Sequence, residues 1–294
     1  MNRVSFIVLY LFCVRVLCAQ TSLVLPYDAT ALTDEQKASN PEHLAYPTEL
    51  KETIKSEVSF ECNTEILDLG PFSVSEKKTV FFSPGNLQYQ ASTKTWRFAE
   101  HQWEVIGEGN NLNIPIPSAS WIDLFGWGTG NNPTLLSTDN NDFSSFTDWG
   151  INAISNGGNK ANMWRTLTKD EWSYLIAKRP NAKALYGFGY ANERYGFILL
   201  PDEWKLPAGL SFTGKNDTYT SDEWSVMEAA GAVFLPAAGS RNCGGSVYYV
   251  GSDGEYWSST PDGSEYAWYL YFYSSRVNMN NNYRCGGLSV RLVR

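Results

Sequence analysis

The feature that most constrains this chain lies near its carboxyl end. From Ala267 to Tyr273, the side chains of Trp268, Leu270 and Phe272 alternate with those of Tyr269, Tyr271 and Tyr273. Successive residues of a strand point to opposite faces, so this period of two predicts a strand with Trp268, Leu270 and Phe272 on a core and the tyrosines in water. Aromatic rings stacked on a wetted face cost solubility unless a ligand covers them, and the alternative is an ordinary cross-strand ladder. The segment Ser274 to Arg284 follows, a run of asparagines with Tyr283 and Arg276, and the stretch Ser240 to Tyr248 has the same character. Tyrosine offers rigid amphipathic area at low entropic cost while Ser, Gly and Asn offer adaptable hydrogen bonds, which is the composition of an antibody-like combining site. The candidate ligand-binding residues are therefore Asn242, Cys243, Tyr248, Tyr269, Tyr271, Tyr273, Arg276, Asn278, Asn280, Asn281, Asn282 and Tyr283.

The rest of the chain can support such a face. Of its 294 residues, 43% are hydrophobic, with Trp, Tyr and Phe abundant, which is enough for a sizeable core. Only 18% are charged and 24 are glycine, so the surface is expected to be built of strands, turns and uncharged polar groups. The net charge of −8 and the lack of a Lys/Arg cluster exclude a nucleic-acid backbone as partner and disfavour an anionic membrane surface.

Three segments follow from texture. Residues 1–19 read as a secretory signal peptide: Arg3 precedes the apolar run Val4 to Val14, and Ala19 is a small residue at the cleavage point. Cys13 and Cys18 raise the alternative of a lipid anchor, although each follows a bulky residue, Phe12 or Leu17. Residues 20–71 are polar and acidic and read as a flexible arm or linker, and residues 72–294 as one domain. No other run is long enough for a membrane span, so direct membrane insertion is not expected. The mature chain would keep Cys62, Cys243 and Cys285, which allows one disulfide with a leftover thiol, a Cys243–Cys285 bridge among the choices, or three lone cysteines.

Inside the domain, Thr79 to Phe82 and Leu87 to Gln90 flank Ser83-Pro84-Gly85-Asn86, a strand–turn–strand signal. Trp96 to Phe98 and Ala232 to Pro236 read as further strands. Thr168 and Glu171 form a capping-box pattern, with Leu167 placed to staple Trp172, and predict a helix running to about Lys178, before Pro180. A second helix, Asp222 to Ala230, opens at Thr220 or Ser221 and ends at Gly231. In the last strand Leu288, Val290 and Leu292 fall on one face and Ser289, Arg291 and Val293 on the other, and a strand ending a domain is expected to be paired into the sheet.

Six motifs also carry a resemblance: Phe82 to Tyr89 (FSPGNLQY), Trp121 to Gly128 (WIDLFGWG), Trp164 to Thr168 (WRTLT), Gly231 to Gly239 (GAVFLPAAG), Tyr256 to Ser259 (YWSS) and Ser289 to Val293 (SVRLV). In this order the chain resembles the secreted C-type-lectin-like paralogous proteins of gut Bacteroidota, some of which are variable proteins of diversity-generating retroelements. Arg165 to Tyr174 is also similar to the formylglycine-generating-enzyme (sulfatase-modifying factor) branch of that fold. The resemblance implies an α+β, C-type-lectin-like fold, with twisted antiparallel sheets, two main helices and long loops. It further implies a ligand surface rewritten over a fixed scaffold. Carried over, the scaffold positions are Trp257, Ala267, Leu270, Phe272, Gly287, Val290 and Arg291. The variable ones include Asn242, Cys243, Tyr248, Tyr269, Tyr271, Tyr273, Asn278, Asn280, Asn281 and Tyr283.

The expectation is thus a secreted or cell-surface protein that binds a protein or glycan, with a surface-filament subunit docking to an assembly partner as the alternative. An enzyme of the formylglycine-generating type is the remote one, with Cys243 and Cys285 its only reactive-pair candidates. Catalysis is not expected, nor is a cofactor or metal. The calcium-binding triplets of sugar-binding lectins are missing, and Asp139, Asn140, Asn141, Asp142 and Asp148 lack calcium-loop spacing. His101 has no companion nucleophile motif, and Gly126 to Gly130 lacks the lysine of a phosphate loop and reads as a turn around Trp127.

Overall fold

The computed structural model describes residues 69–112, 114 and 119–294. The expected signal peptide at 1–19 and the expected arm, up to residue 68, lie outside the described residues. Strand β1 spans Leu69–Ser75, beginning ahead of the boundary expected at residue 72, and buries Leu69, Phe72 and Val74.

Antiparallel sheets dominate, with three short α-helices among the described residues. One sheet has the order β1-β2-β16-β6, with β2 Lys78–Phe82, β6 Arg165–Thr166 and β16 Leu292–Val293. A second has the order β4-β3-β5, with β3 Leu87–Gln90, β4 Thr95–Phe98 and β5 Trp121–Ile122. A third has the order β10-β8-β7-β9, with β7 Tyr186–Ala191, β8 Arg194–Leu199, β9 Lys215–Tyr219 and β10 Val233–Pro236; its β7–β9 pair is parallel. A two-stranded ribbon joins β11 Ser240–Arg241 to β12 Val247–Tyr248. The last sheet has the order β13-β14-β15, with β13 Asp253–Asp262, β14 Tyr266–Tyr273 and β15 Arg276–Tyr283.

Helix α1 is a single turn, Glu108–Asn111. Helix α2, Lys169–Ser173, starts with the expected capping box, the Thr168 hydroxyl accepting from the Glu171 N–H and the Glu171 carboxylate from the Thr168 N–H. It continues as a wider turn to Lys178, with Leu167 and Trp172 both buried in one core cluster. Helix α3, Ser221–Ala229, repeats the box with Thr220 and Glu223, and Gly231 follows it at φ +96°.

The strands expected either side of Ser83-Pro84-Gly85-Asn86 are β2 and β3, which fall in different sheets because both take the C-terminal run as partner: Ser83 N–H donates to Leu292 O and Leu87 N–H to Val290 O. That run is buried on both of its faces. Its ladder passes between core layers, so Ser289, Arg291 and Val293 are as buried as Leu288, Val290 and Leu292.

Arg291 survives there because Gln102 Oε1 accepts from its Nη2 at 2.7 Å; Gln102 Nε2 in turn donates to Glu228 Oε1 at 2.9 Å. Three core clusters result. The first packs Phe72, Phe82, Trp172, Phe197, Tyr256, Leu270 and Phe272; the second packs Trp96, Phe125, Trp149, Trp257, Ala267 and Tyr269; the third packs Tyr219, Trp224, Ile198 and Phe234. The β13–β15 sheet lies with one face on the first cluster and part of its other face on the second.

Candidate functional site

The register of β13–β15 decides which side chains share its outer face. Tyr273 pairs with Asp253 and Arg276, Tyr271 with Glu255 and Asn278, Tyr269 with Trp257 and Asn280, and Ala267 with Asn282. Residues opposite one another in a sheet project to the same side. One face therefore carries a tyrosine row flanked by two carboxylates on β13 and by Arg276, Asn278, Asn280 and Asn282 on β15. Tyr271 and Tyr273 stack at 5.0 Å with an interplanar angle of 24°, and Tyr269 lies 5.9 Å from Tyr271.

The row emerges gradually from the protein. Tyr269, expected in water, is only 6% exposed, because the Trp257 end of this face is roofed by the second core cluster, where Tyr269 packs on the Trp257 ring. Tyr271 and Tyr273 are half-buried and accessible. Trp268, expected in the core, is also half-buried and lies under the Lys169 ammonium at 3.3 Å from its ring centre.

Two expected site residues belong to the other face. Asn281 pairs with Trp268 and donates its amide to the Asp262 carboxylate, and Tyr283 pairs with Tyr266 and stacks on it at 4.5 Å. Both are exposed, but alternation turns them away from the tyrosine row. The asparagines of β15 also serve their own strand: the side-chain oxygens of Asn280 and Asn282 accept the N–H groups of Asn281 and Tyr283. Those bonds occupy edge donors that would otherwise invite another strand.

The β11–β12 ribbon borders the face. Ser240 donates to Glu255 Oε1 at 2.9 Å, and Tyr248, opposite Ser240 in the ribbon, is exposed with its neighbour Tyr249. Asn242 is exposed and accepts the Ser246 N–H. Cys243, also a candidate contact residue, forms a disulfide with Cys285, one of the pairings the sequence left open, and the bridge ties the ribbon loop to the segment after β15. At the foot of that loop Arg241 is 1% exposed, and its guanidinium nitrogens have no hydrogen-bond partner. It fits because Gly287 opposite has no side chain, a Cβ there standing 2.6 Å from the guanidinium. Burial lowers the Arg241 pKa to about 10.

The residues at the centre of the face are ones the sequence reading passed over. Glu255 is 6% exposed, and burial pushes its carboxyl up, against hydrogen bonds from Ser240 and Asn282 that lower it, with Asp253 raising it further. Asp253 accepts the Tyr271 hydroxyl at 2.8 Å. Burial raises the Tyr269 and Tyr271 hydroxyls above their ordinary range, and the Asp253 and Glu255 charges act in the same direction. Tyr195 of β8 comes in from the third sheet, its hydroxyl accepting the Ser275 N–H at 3.1 Å. The alternation Asp253-Gly254-Glu255-Tyr256 was the available signal for the two acids, obscured because Trp257, on their face, is apolar.

Elsewhere, polar clusters do structural work. Asp148 accepts from Gly150 N–H and from the backbone and hydroxyl of Thr166, and Asp139 from Asn141 N–H. Trp127 is buried and donates to Ser258 O, and exposed His101 stacks on Trp103 at 4.6 Å. Among the described residues no group of three or more His, Cys, Asp or Glu side chains is placed to hold a metal ion.

Residues 211–293 match a family described as a domain of unknown function (DUF8237). The matched span runs from ahead of α3 to the last strand and includes the whole tyrosine face and the disulfide-tied ribbon. No curated protein and no solved structure matches the chain.

Proposed function

We propose that this chain is a secreted or cell-surface binding protein of C-type-lectin-like architecture, related to the Bacteroidota paralogues that its motifs resemble, and that it captures a protein or glycan through the outer face of β13–β15. Its role in this reading is recognition rather than catalysis. The observation that carries it is the tyrosine row itself. Tyr271 and Tyr273 stand half-exposed and stacked, on a strand whose reverse side, Leu270 and Phe272, is fully buried. Rigid aromatic area at fixed spacing, bordered by adaptable amides, loses little entropy on binding. The disulfide stiffens the neighbouring ribbon and suits export to an oxidising compartment.

The test replaces Tyr271 and Tyr273 by Ala in the full chain and leaves buried Tyr269 intact. Binding is read on printed arrays of glycans and of purified extracellular proteins. Loss of tenfold or more on the ligands held by the unsubstituted chain is expected, since each tyrosine anchor contributes about 2 kcal/mol. Undiminished capture with lost incorporation into a surface assembly would favour a filament subunit instead.

A further inference from the structure

The tyrosine face has an uncompensated charge. Asp253 and Glu255 stand two residues apart on β13, both on that face, and among the described residues neither forms an ion pair with Lys or Arg. Glu255 is 6% exposed, and its bonds come from neutral groups, Ser240 at 2.9 Å and Asn282 at a long 3.4 Å. A buried carboxylate without a counter-ion is costly, and proteins ordinarily pair it or neutralise it. Asp253 is the accessible member, half-buried at the rim, with Tyr271 bonded to it and Tyr273 beside it.

The aromatic rings point to the same class of ligand. The face of a tyrosine ring attracts ammonium and guanidinium groups. Arg276 already lies toward Tyr273, 6.0 Å from the ring centre, and donates to its hydroxyl at 3.3 Å. That contact occupies one end of the row and, among the described residues, leaves Tyr271, Asp253 and Glu255 without a cation.

We propose that the ligand of this face is a protein segment presenting a Lys or Arg side chain, whose cationic group seats against Asp253 and the Tyr271 ring with Glu255 supplying negative potential from behind. The proposal rests on the reading of this face as the binding surface and adds the chemistry of what it binds. The chain's net charge of −8 would assist encounter with such a partner.

The experiment uses the full chain and fluorescein-labelled hexalysine, hexaarginine and hexaglutamine amides, followed by fluorescence anisotropy in roughly 50 and 300 mM salt, low and high screening respectively. Compared with the unsubstituted chain are Asp253→Asn with Glu255→Gln, Tyr271→Ala, and a charge-matched control, Asp170→Asn with Asp222→Asn, two exposed helix residues outside the face. Thermal melting shows that each variant is folded. The expected result is binding of a cationic probe but not of hexaglutamine, weakened tenfold or more by the face substitutions and unchanged in the control. Equal weakening in the control means diffuse acidity and overturns the proposal, as does failure of both cationic probes to bind. If array ligands are lost in the Tyr271→Ala, Tyr273→Ala chain but kept in the Asp253→Asn, Glu255→Gln chain, the surface stands and the cation is wrong. If neither set of substitutions lowers any binding, the surface reading falls as well.

Discussion

Gly254 sets the two carboxylates of the face on one side by yielding the other side to a ring. A Cβ at this position would lie 2.0 Å from the Phe272 ring, far inside contact distance. The ring cannot withdraw easily, being wholly buried and packed between Tyr256 at 6.2 Å and Phe197 at 5.6 Å. Gly254→Ala is therefore expected to cost about 3 kcal/mol, the upper range for overpacking a filled core, and to lower the urea midpoint accordingly. An unchanged midpoint would show that Phe272 has room to move. The sequence Asp-Gly-Glu reads like a turn, and only the packed ring explains why glycine stands in mid-strand.

At the scale of elements, local chemistry was legible and long-range pairing was not. The capping box at Thr168 lies where the residue pattern placed it, and the second helix opens at Thr220, one of the two positions the pattern offered, because a cap is decided within one turn of chain. The strands β2 and β3 were legible but their partners were not, because Ser-Pro-Gly-Asn serves equally well as a connection between sheets and the segment that takes their backbone groups lies at the far end of the chain. The cysteine partnership was open for the same reason, since it depends on the ribbon loop meeting the segment after β15. Cys243 and Cys285 are separated by 42 residues, for which chain-entropy arguments give about 4 kcal/mol as an upper figure. Replacing both by Ser is expected to lower the melting temperature measurably while leaving the circular dichroism of the native sheet intact. A variant melting at the original temperature would mean that the ribbon is held by its hydrogen bonds to Glu255 and Gly287 alone.

Over the whole molecule, alternation identified strands but could not tell which faces a second layer would cover. It placed Leu270 and Phe272 correctly on the core, and it missed the roof over Tyr269 and the burial of Ser289 and Arg291, because those depend on layers brought in from distant sequence. Gln102 shows how such layers are joined. Its side-chain oxygen accepts from Phe234 N–H at 2.6 Å and Arg291 Nη2 at 2.7 Å, and its nitrogen donates to Glu228 Oε1 at 2.9 Å and Ala232 O at 3.2 Å. One amide thus links the third sheet, helix α3 and the C-terminal strand run, with every bond it can form satisfied. Burial lowers the Arg291 pKa to about 10 and raises that of Glu228, so both charges depend on the amide between them. Gln102→Leu keeps the volume and removes all four bonds, leaving the buried Arg291 with only its 3.4 Å bond to Asn86 Oδ1 and the half-buried Glu228 without its amide donor. Breaking a buried charged network in this way costs about 3 to 5 kcal/mol. The expected outcome is a large fall in the urea midpoint for Gln102→Leu, against less than about 0.5 kcal/mol for the exposed Asn278→Ala. Equal midpoints for the two variants would mean that the layers are held by apolar packing alone and that the buried Arg291 is neutralised by some other route.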